Sequence, residues 1–255
     1  MHICFHHSIP YASIIGRFLG MMLLVGLTAC SNDATAPPAP ATIYGSGNII
    51  SEMRELPVFT SVRVEMTATV IVGLADSQSA EVSVDDNVME YVETLVDGST
   101  LVIRLSDDVD LSGYNLDIAV LATDLNTLAC PGTATIRSSS EIELDALRVT
   151  IEGVGTVVLD LDVDQLESLV SGFGTLDYAG TAAQHLISIS GTGTVSAYRL
   201  ASAACNVTIG GSGTVLVTVI DDLDVTIGGS GTVFYKGNPE ITQLIEGSGQ
   251  IINAN

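Results

Sequence analysis

Apolar and polar residues alternate in short runs along the second half of the chain, and the alternation recurs at a nearly constant interval. Each run carries a Gly-x-Gly cassette, with an aliphatic residue two positions before it and another four positions after its first glycine. Alternation with period 2 predicts strands, and self-similarity at about 20 residues is typical of a solenoid. The six cassettes follow one another in steps of 18 to 20 residues and begin at Gly153, Gly172, Gly191, Gly211, Gly229 and Gly247.

The aliphatic residues two positions before the cassettes keep the same phase in all six repeats. They are Ile151, Val170, Ile189, Ile209, Ile227 and Ile245. A Gly-rich bend between two strands also suits an antiparallel hairpin, so an array of hairpins or a sandwich is the alternative. A constant phase favours stacked coils, in which each aliphatic residue lies about 4.8 Å above its equivalent. The sequence therefore predicts an all-β fold, a single-stranded parallel β-helix with coils of about 18–21 residues.

Glycine is expected in the cassettes because it accepts positive φ and lets neighbouring backbone approach closely. Upstream the repeat is fainter. Cys130 is placed at a first-glycine position, and both glycines are replaced in a coil that begins near Val62. After that coil the period is lost until Leu128, which indicates longer, irregular coils or an inserted hairpin. Turns are expected at Asp85-Asp86-Asn87 and at Asp97-Gly98.

The start of the chain carries an export signal. Residues 18–29 are mostly apolar and follow Arg17, a length that suits a signal peptide and is too short to span a membrane. The stretch ends in Leu27-Thr28-Ala29-Cys30, which resembles the bacterial lipobox and implies cleavage before Cys30 with lipid attached to its sulfur. An ordinary secretory peptide is the alternative. We predict a lipoprotein signal peptide over residues 1–29, a lipid-anchored flexible tether over 30–42, and a β-helix head domain over 43–255. The head is expected to be irregular over 43–127 and regular over 128–255.

The same segment predicts where the protein works. Lipid on Cys30 would anchor the head domain to a bilayer, and the Pro/Ala/Thr-rich tether would hold the head away from its surface. Ser31, rather than Asp, follows the cysteine, which favours the outer membrane by resemblance to enterobacterial sorting rules. The predicted location is therefore the bacterial cell envelope, with the periplasmic and the extracellular face both left open.

The charge balance narrows the classes of partner. The chain has 30 acidic and 8 basic residues, a net charge of −22. Nucleic acid and anionic membrane surfaces are disfavoured as partners, because both attract basic patches. The calcium-binding nonapeptide places an Asp after its glycines, and these repeats have none there, so solvated corners are favoured and no cofactor is expected. Alternating aspartates can nevertheless supply oxygen ligands to Ca²⁺, and the candidate ligands are Asp107, Asp108, Asp110, Asp221, Asp222 and Asp224.

The head domain offers little catalytic chemistry. His185 is its only histidine, and we expect a solvated residue at a corner between coils. Cys130 and Cys205 are 75 residues apart, which is about four coils or 19 Å and too far for a disulfide, so two buried, unpaired thiols are predicted. We predict that the protein is not an enzyme. Its basic residues are scattered along the sequence: Arg54, Arg63, Arg104, Arg137, Arg148, Arg199 and Lys236.

Several motifs occur in a fixed order. They are Gly45-Ser46-Gly47-Asn48-Ile49, Phe59-Thr60-Ser61-Val62-Arg63-Val64, Asp85-Asp86-Asn87-Val88, the serial Gly-Ser-Gly-Thr-Val coils, and Tyr235, Gly237 and Pro239 near the end. This order resembles the bacterial family "putative auto-transporter adhesin, head GIN domain" over residues 42–255. The resemblance implies a right-handed β-helix on the cell envelope, with an adhesin label and no catalytic residues. The chain departs from the pattern at Cys130-Pro131, where a coil lacks its first glycine.

These observations predict an envelope-anchored, non-enzymatic lipoprotein that works as an adhesion or ligand-binding module. A rigid rod presents its side chains in rows, which suits an extended glycan or a protein ligand. Two alternatives stay open. One is a structural or assembly role, including a homo-oligomer stacked through an exposed end of the rod. The other is an enzyme acting on polysaccharides, which would need a cleft with close carboxylates.

Overall fold

The computed structural model describes residues 42–106 and 109–255, and nearly all of them lie in strands or in the bends between them. One short 3₁₀ helix covers Met89–Tyr91. Within the part of the chain that the structure describes, no helix is long and apolar enough to cross a membrane. The strands are β1 (Thr42–Tyr44), β2 (Ile49–Glu55), β3 (Ser61–Val64), β4 (Thr67–Leu74), β5 (Ser79–Asp85), β6 (Val92–Asp97), β7 (Thr100–Leu105), β8 (Asp110–Ser112), β9 (Asp117–Ala122), β10 (Thr127–Cys130), β11 (Thr133–Ser138), β12 (Ile142–Ile151), β13 (Val154–Val170), β14 (Phe173–Ile189), β15 (Thr192–Ile209), β16 (Ser212–Ile227), β17 (Thr232–Lys236), β18 (Glu240–Ile245) and β19 (Gln250–Asn253).

The regular coils stack in parallel register. Ile189 pairs with Ile209, which pairs with Ile227, and all three side chains are fully buried. Burying a large aliphatic side chain stabilises the fold by about 1.5–3 kcal/mol, so a continuous column of them is the main source of cohesion between coils. The parallel β-helix prediction is confirmed, and the hairpin array is wrong for these coils.

The first coils do not stack in sequence order. Strand β3 pairs in parallel with β7 on one side and with β10 on the other, so residues 100–122 form a coil outside residues 61–74. Antiparallel strands lie next to these first coils. Strands β6 and β7 form a hairpin that turns at Asp97-Gly98, where Gly98 has a φ of +61°, and β5 pairs antiparallel with both β2 and β9. This region therefore combines the two structures that the sequence left open, an irregular coil and an inserted hairpin, and the expected Asp97-Gly98 turn is present.

The cassette glycines are needed for close approach, and the expectation of positive φ is wrong. None of them adopts positive φ among the described residues. A Cβ atom on Gly172 would overlap the backbone carbonyl oxygens of Gly153 and Glu152 in the coil below. A Cβ atom on Gly191 would overlap those of Gly172 and Ser171 in the same way. A column of glycines therefore lets the bends of successive coils lie directly on one another.

The phase expected at Cys130 is wrong by two residues. Cys130 pairs with Ile151, so it occupies the buried aliphatic column rather than the first-glycine position. Gly132 supplies the first glycine, and Ala134 pairs with Gly155 and replaces the second one. The coil therefore has its first glycine after all. A small, apolar thiol behaves as a hydrophobic residue, which explains why Cys130 fits this column.

Both cysteines of the described residues are free and buried, as predicted. Cys205 lies in a different column from Cys130, between His185 and Leu223 of the neighbouring coils. Burial raises the pKa of the Cys205 thiol to about 12, and burial also raises that of Cys130. Both thiols therefore stay protonated at neutral pH and are poor nucleophiles.

Candidate ligand-binding face

A row of threonines runs along one side of the solenoid. In each coil the residue after the second glycine points outward, because the next residue, for example Val195 or Val215, points into the core. The parallel pairing places all these threonines in register, one per coil, at about 4.8 Å intervals. The row consists of Thr69, Thr135, Thr156, Thr175, Thr194, Thr214 and Thr232.

A second outward row lies beside the first, two residues earlier in each strand. It is more exposed and of mixed chemistry: Phe173 is 64% exposed and Val154 is 53% exposed, and the two residues adjoin each other between Thr133 and Thr192. We call the two rows together the threonine face. The second row consists of Thr67, Thr133, Val154, Phe173, Thr192 and Ser212.

A cavity of about 300 Å³ opens at the end of the threonine face nearest the irregular coils. Tyr114 and Asn115, in the connection between β8 and β9, form one wall, and Thr69 and Thr135 lie on the other side. The Tyr114 hydroxyl donates a hydrogen bond to the carbonyl oxygen of Thr67 over 3.4 Å. Burial raises the pKa of Tyr114, so the phenol is protonated at neutral pH and can donate this hydrogen bond.

The chemistry of the threonine face suits the binding of a polar ligand. Each threonine hydroxyl can both donate and accept a hydrogen bond, and the exposed ring of Phe173 adds a flat apolar surface. The two rows contain no ionisable side chain. A ligand with many hydroxyls and alternating apolar patches would match this surface.

The candidate calcium ligands do not come together. Asp107 and Asp108 lie outside the described residues, and Asp110 accepts a hydrogen bond from the Thr42 hydroxyl at 2.6 Å. Asp222 and Asp224 pair with Ala204 and Asn206 of the coil below, and on the other side with Glu240 and Thr242 of β18, so Glu240 is the one carboxylate that the neighbouring strands place opposite them. Across residues 42–106 and 109–255 no three His, Cys, Asp or Glu side chains are placed to hold a metal ion.

An acidic groove that the sequence did not indicate lies elsewhere on the solenoid. It has a volume of about 610 Å³ and is lined by residues of several segments. The Asp162 carboxylate accepts a hydrogen bond from the Thr181 hydroxyl at 2.5 Å. The alternating aspartates around Asp162 are visible in the sequence, but their proximity to Asp124 depends on how the coils stack. This groove repels polyanions, and its carboxylates are Asp124, Glu143, Asp145, Asp162 and Asp164.

His185 is buried, so the prediction of a solvated corner residue is wrong. Strand β14 runs unbroken through the expected corner, which puts His185 on the inward phase between Leu166 and Cys205. Its side chain is only 1% exposed. The His185 Nε2 atom lies 3.0 Å from Ser168 Oγ, which lies 3.1 Å from the hydroxyl oxygen of Tyr178.

The buried trio of His185, Ser168 and Tyr178 has the wrong setting for nucleophilic catalysis. Burial lowers the pKa of His185 to about 3 and raises that of Tyr178, so both side chains are neutral. The His185 Nδ1 atom has no hydrogen-bond partner in the described structure, so no carboxylate orients the ring. All three side chains are enclosed in the core, out of reach of a substrate. The trio is a polar patch in an otherwise aliphatic interior.

Comparison with known proteins gives a family match. The model of the family described as "Putative auto-transporter adhesin, head GIN domain" matches residues 58–239, which is more than two thirds of the chain. No curated protein matches the sequence significantly.

Several solved structures resemble the fold. A putative adhesin from Bacteroides fragilis superposes with a TM-score of 0.78 at 20% identity, over 83% of this chain and 99% of that one. A putative lipid binding protein from Parabacteroides distasonis gives 0.69 at 22% identity, over 84% and 100% of the two chains. A putative adhesin from Parabacteroides merdae gives 0.62 at 19% identity, over 84% and 99%. At identities of 19–22%, these matches show that the folds are similar.

Proposed function

The chain belongs to the putative auto-transporter adhesin, head GIN domain family, and on that premise we propose that it is a non-enzymatic adhesion module whose threonine face binds an extended carbohydrate. In this proposal lipid on Cys30 anchors the protein to the outer membrane, and the tether over residues 30–42 presents the head domain. The lipobox-like Leu27-Thr28-Ala29-Cys30 sequence supports the anchor. Family membership supports a place at the cell surface or in the envelope.

The threonine face is the observation that carries this proposal. The seven threonines of its first row repeat once per coil, so a ligand lying along the solenoid axis meets the same hydroxyl at each step. A single hydrogen bond contributes only about 0.5–1.5 kcal/mol. An extended ligand can form several such contacts at once, and a rigid rod needs little ordering to make them. A carbohydrate chain supplies both hydroxyls for the threonines and apolar ring faces for Phe173.

The absence of ionisable side chains from both rows supports a binding role over a hydrolytic one. Glycoside hydrolysis uses two carboxylates on either side of the scissile bond, and neither row carries one. His185, the only histidine of the described residues, is enclosed in the core. A polysaccharide bound along the threonine face would therefore be held and not cleaved.

Replacing Phe173 by alanine is expected to weaken glycan binding by about three- to tenfold. A pair of aromatic rings contributes about 0.5–1.5 kcal/mol beyond its buried area; we take the stacking of a sugar ring on Phe173 to be of the same size, and 1.4 kcal/mol corresponds to tenfold in affinity. Ligands would first be found by screening the purified protein on a glycan array. Their affinities for the wild type and the Phe173→Ala variant would then be measured by isothermal titration calorimetry.

Leu186→Ala is the matched control for this experiment. Leu186 lies on the same strand, β14, and is 52% exposed, but it belongs to another side of the coil. The control should bind like the wild type. Equal affinities for wild type and Phe173→Ala, or no glycan bound by the wild type, would contradict the proposed function.

A further inference from the structure

Three cationic side chains lie along one edge of the threonine face. In the strand direction, Arg137 follows Thr135 on the same face, and Lys236 lies four residues beyond Thr232. The register of β15 with its neighbours shifts near Arg199, and this shift places Arg199 opposite Ala179 at the same edge. We call Arg137, Arg199 and Lys236 the basic row. They are three of only seven cationic residues in the described part of the chain.

The basic row has a spacing set by the coils. Arg137 pairs with Val158 and Asp160 pairs with Ala179, so three strand steps separate the coil of Arg137 from that of Arg199. Three steps are about 14 Å, and two further steps of about 10 Å lead to the coil of Lys236. Arg137 lies two residues past its threonine and Lys236 lies four past its own, so the basic row follows the solenoid axis with an offset of about 7 Å along the strands rather than as one straight column.

A cavity of about 220 Å³ lies between the first two members of the row. Arg137 and Arg199 are at its two ends, and Val158 and Ala179 contribute its floor. Asp160 also lines it, with its backbone N–H donating a hydrogen bond to the Ser138 hydroxyl at 3.0 Å. The cavity therefore combines a small apolar floor with a guanidinium group at each end.

Arg137 is the arginine that the protein leaves without an ion pair. Among the residues that the structure describes, the other five arginines each contact a carboxylate within 3.1 Å. Arg137 has none, although the net charge of −22 makes carboxylates abundant and Asp160 lines the same cavity. A guanidinium group presents five N–H donors in a planar fork that matches a carboxylate. Arg137 is therefore free to bind an external anion.

The other two cations are held in place. The Arg199 guanidinium lies 3.1 Å from an Asp177 carboxylate oxygen, and the Lys236 ammonium lies 4.4 Å from the centre of the Tyr198 ring. A cation over an aromatic face keeps its charge and its outward hydrogen-bond donors. Counting Asp160 and Asp177 against the three cations leaves the basic row with one net positive charge.

We propose that the basic row binds carboxylate groups of an acidic polysaccharide that lies along the threonine face. This inference rests on the proposed function and narrows its ligand class. One net positive charge suits a polymer with single, spaced carboxylates. Densely charged polyanions such as nucleic acid would meet the acidic groove around Asp162 and Asp164, which repels them. The hydroxyl rows then contact the neutral part of each sugar.

The test compares a polysaccharide in which each uronate is followed by a neutral sugar with the same polymer after reduction of its carboxyl groups. Hyaluronan and carboxyl-reduced hyaluronan would be titrated into the purified full chain at low ionic strength, since screening weakens exposed charge pairs. The wild type is expected to bind the acidic polymer at least tenfold more tightly than the reduced one. Arg137→Gln is expected to remove most of that preference and to leave binding of the reduced polymer unchanged.

Arg148→Gln is the matched control, because it removes the same charge from an exposed arginine that is paired with Glu167 in a different part of the coil. It should keep the preference for the acidic polymer. Equal binding of both polymers by the wild type, or an unchanged preference in Arg137→Gln, would overturn the inference while leaving the proposed function intact. If a phosphate-bearing polymer bound equally through Arg137, the assignment to carboxylates would be wrong. Failure of the proposed function gives a different result, namely reduced-polymer binding that is absent or insensitive to Phe173→Ala.

Discussion

Replacing Gly211 by alanine is expected to destabilise the protein by about 3 kcal/mol or more. A Cβ atom at this position would overlap the backbone carbonyl oxygens of Gly191 and Ser190 in the coil below. Neither oxygen is the movable end of a side chain, so relief requires the two coils to separate. Separation would weaken the parallel ladder on both sides of the bend and open a gap in the aliphatic column. One added methyl group therefore weakens the strand pairing and the core packing of both coils.

The adjacent residue supplies a closely matched control. A Cβ atom on Gly210 would meet no heavy atom within 4 Å, and Gly210 does not adopt positive φ. Gly210→Ala should therefore be neutral or slightly stabilising, since alanine reduces the conformational freedom of the unfolded chain. Urea denaturation followed by circular dichroism would measure both variants. Similar unfolding free energies for the two would contradict the close-approach role assigned to the first glycines.

The regular half of the fold follows from sequence because each coil repeats the same physical problem. An aliphatic residue two positions before a glycine pair recurs with constant phase, and stacking is the arrangement that satisfies all copies together. The structural role of the cassette glycines could be predicted only in part from the sequence. Positive φ and close approach both explain glycines at a constant spacing along one chain. The structure decides for close approach, because the backbone of Gly153 lies against that of Gly172.

The stacking order of the irregular half could not be predicted because its pairing is non-local. Nothing in the sequence indicates that the strand after Asp97-Gly98 stacks outside β3, or that β10 takes the other side. Cys130 was misplaced for a related reason. With Ala134 in place of the second glycine, the segment contains one glycine, and two phases fit it equally well. The buried pairing of Cys130 with Ile151 decides between them.

The threonine face is visible in sequence once the phase is known, since one threonine follows each glycine pair. The basic row is different. Arg137 and Arg199 are far apart in sequence, and Arg199 reaches the edge of the face only through a local irregularity of register. The basic residues are scattered along the sequence, and stacking brings three of them to one edge of the threonine face. His185 was misjudged because an unbroken 17-residue strand passes through the place where a corner was expected.

Acidification is expected to destabilise the native protein through His185. The pKa of this side chain falls from an ordinary value of 6.5 to about 3 because burial disfavours the imidazolium. Below pH 6.5 the unfolded chain binds a proton at this residue and the folded protein does not. The free energy of unfolding is therefore unaffected by His185 above pH 6.5, and it decreases progressively as the pH falls from 6.5 toward 3. Each pKa unit corresponds to about 1.4 kcal/mol, so the loss should reach about 3 kcal/mol by pH 4.5.

His185→Leu isolates this contribution. Leucine has a similar volume and adds no titratable group, and Ser168 keeps its hydrogen bond to Tyr178. The substitution also removes the Nδ1 atom, which has no partner in the described structure, so the variant should be at least as stable as the wild type at pH 7.5. Urea denaturation of both proteins at pH 7.5 and 4.5 gives the difference between their pH profiles. That difference cancels the 30 acidic residues common to both, whose protonation relieves repulsion as the pH falls. Wild type should lose about 3 kcal/mol relative to His185→Leu between the two pH values, and parallel profiles would show that the imidazole is not held neutral inside the core.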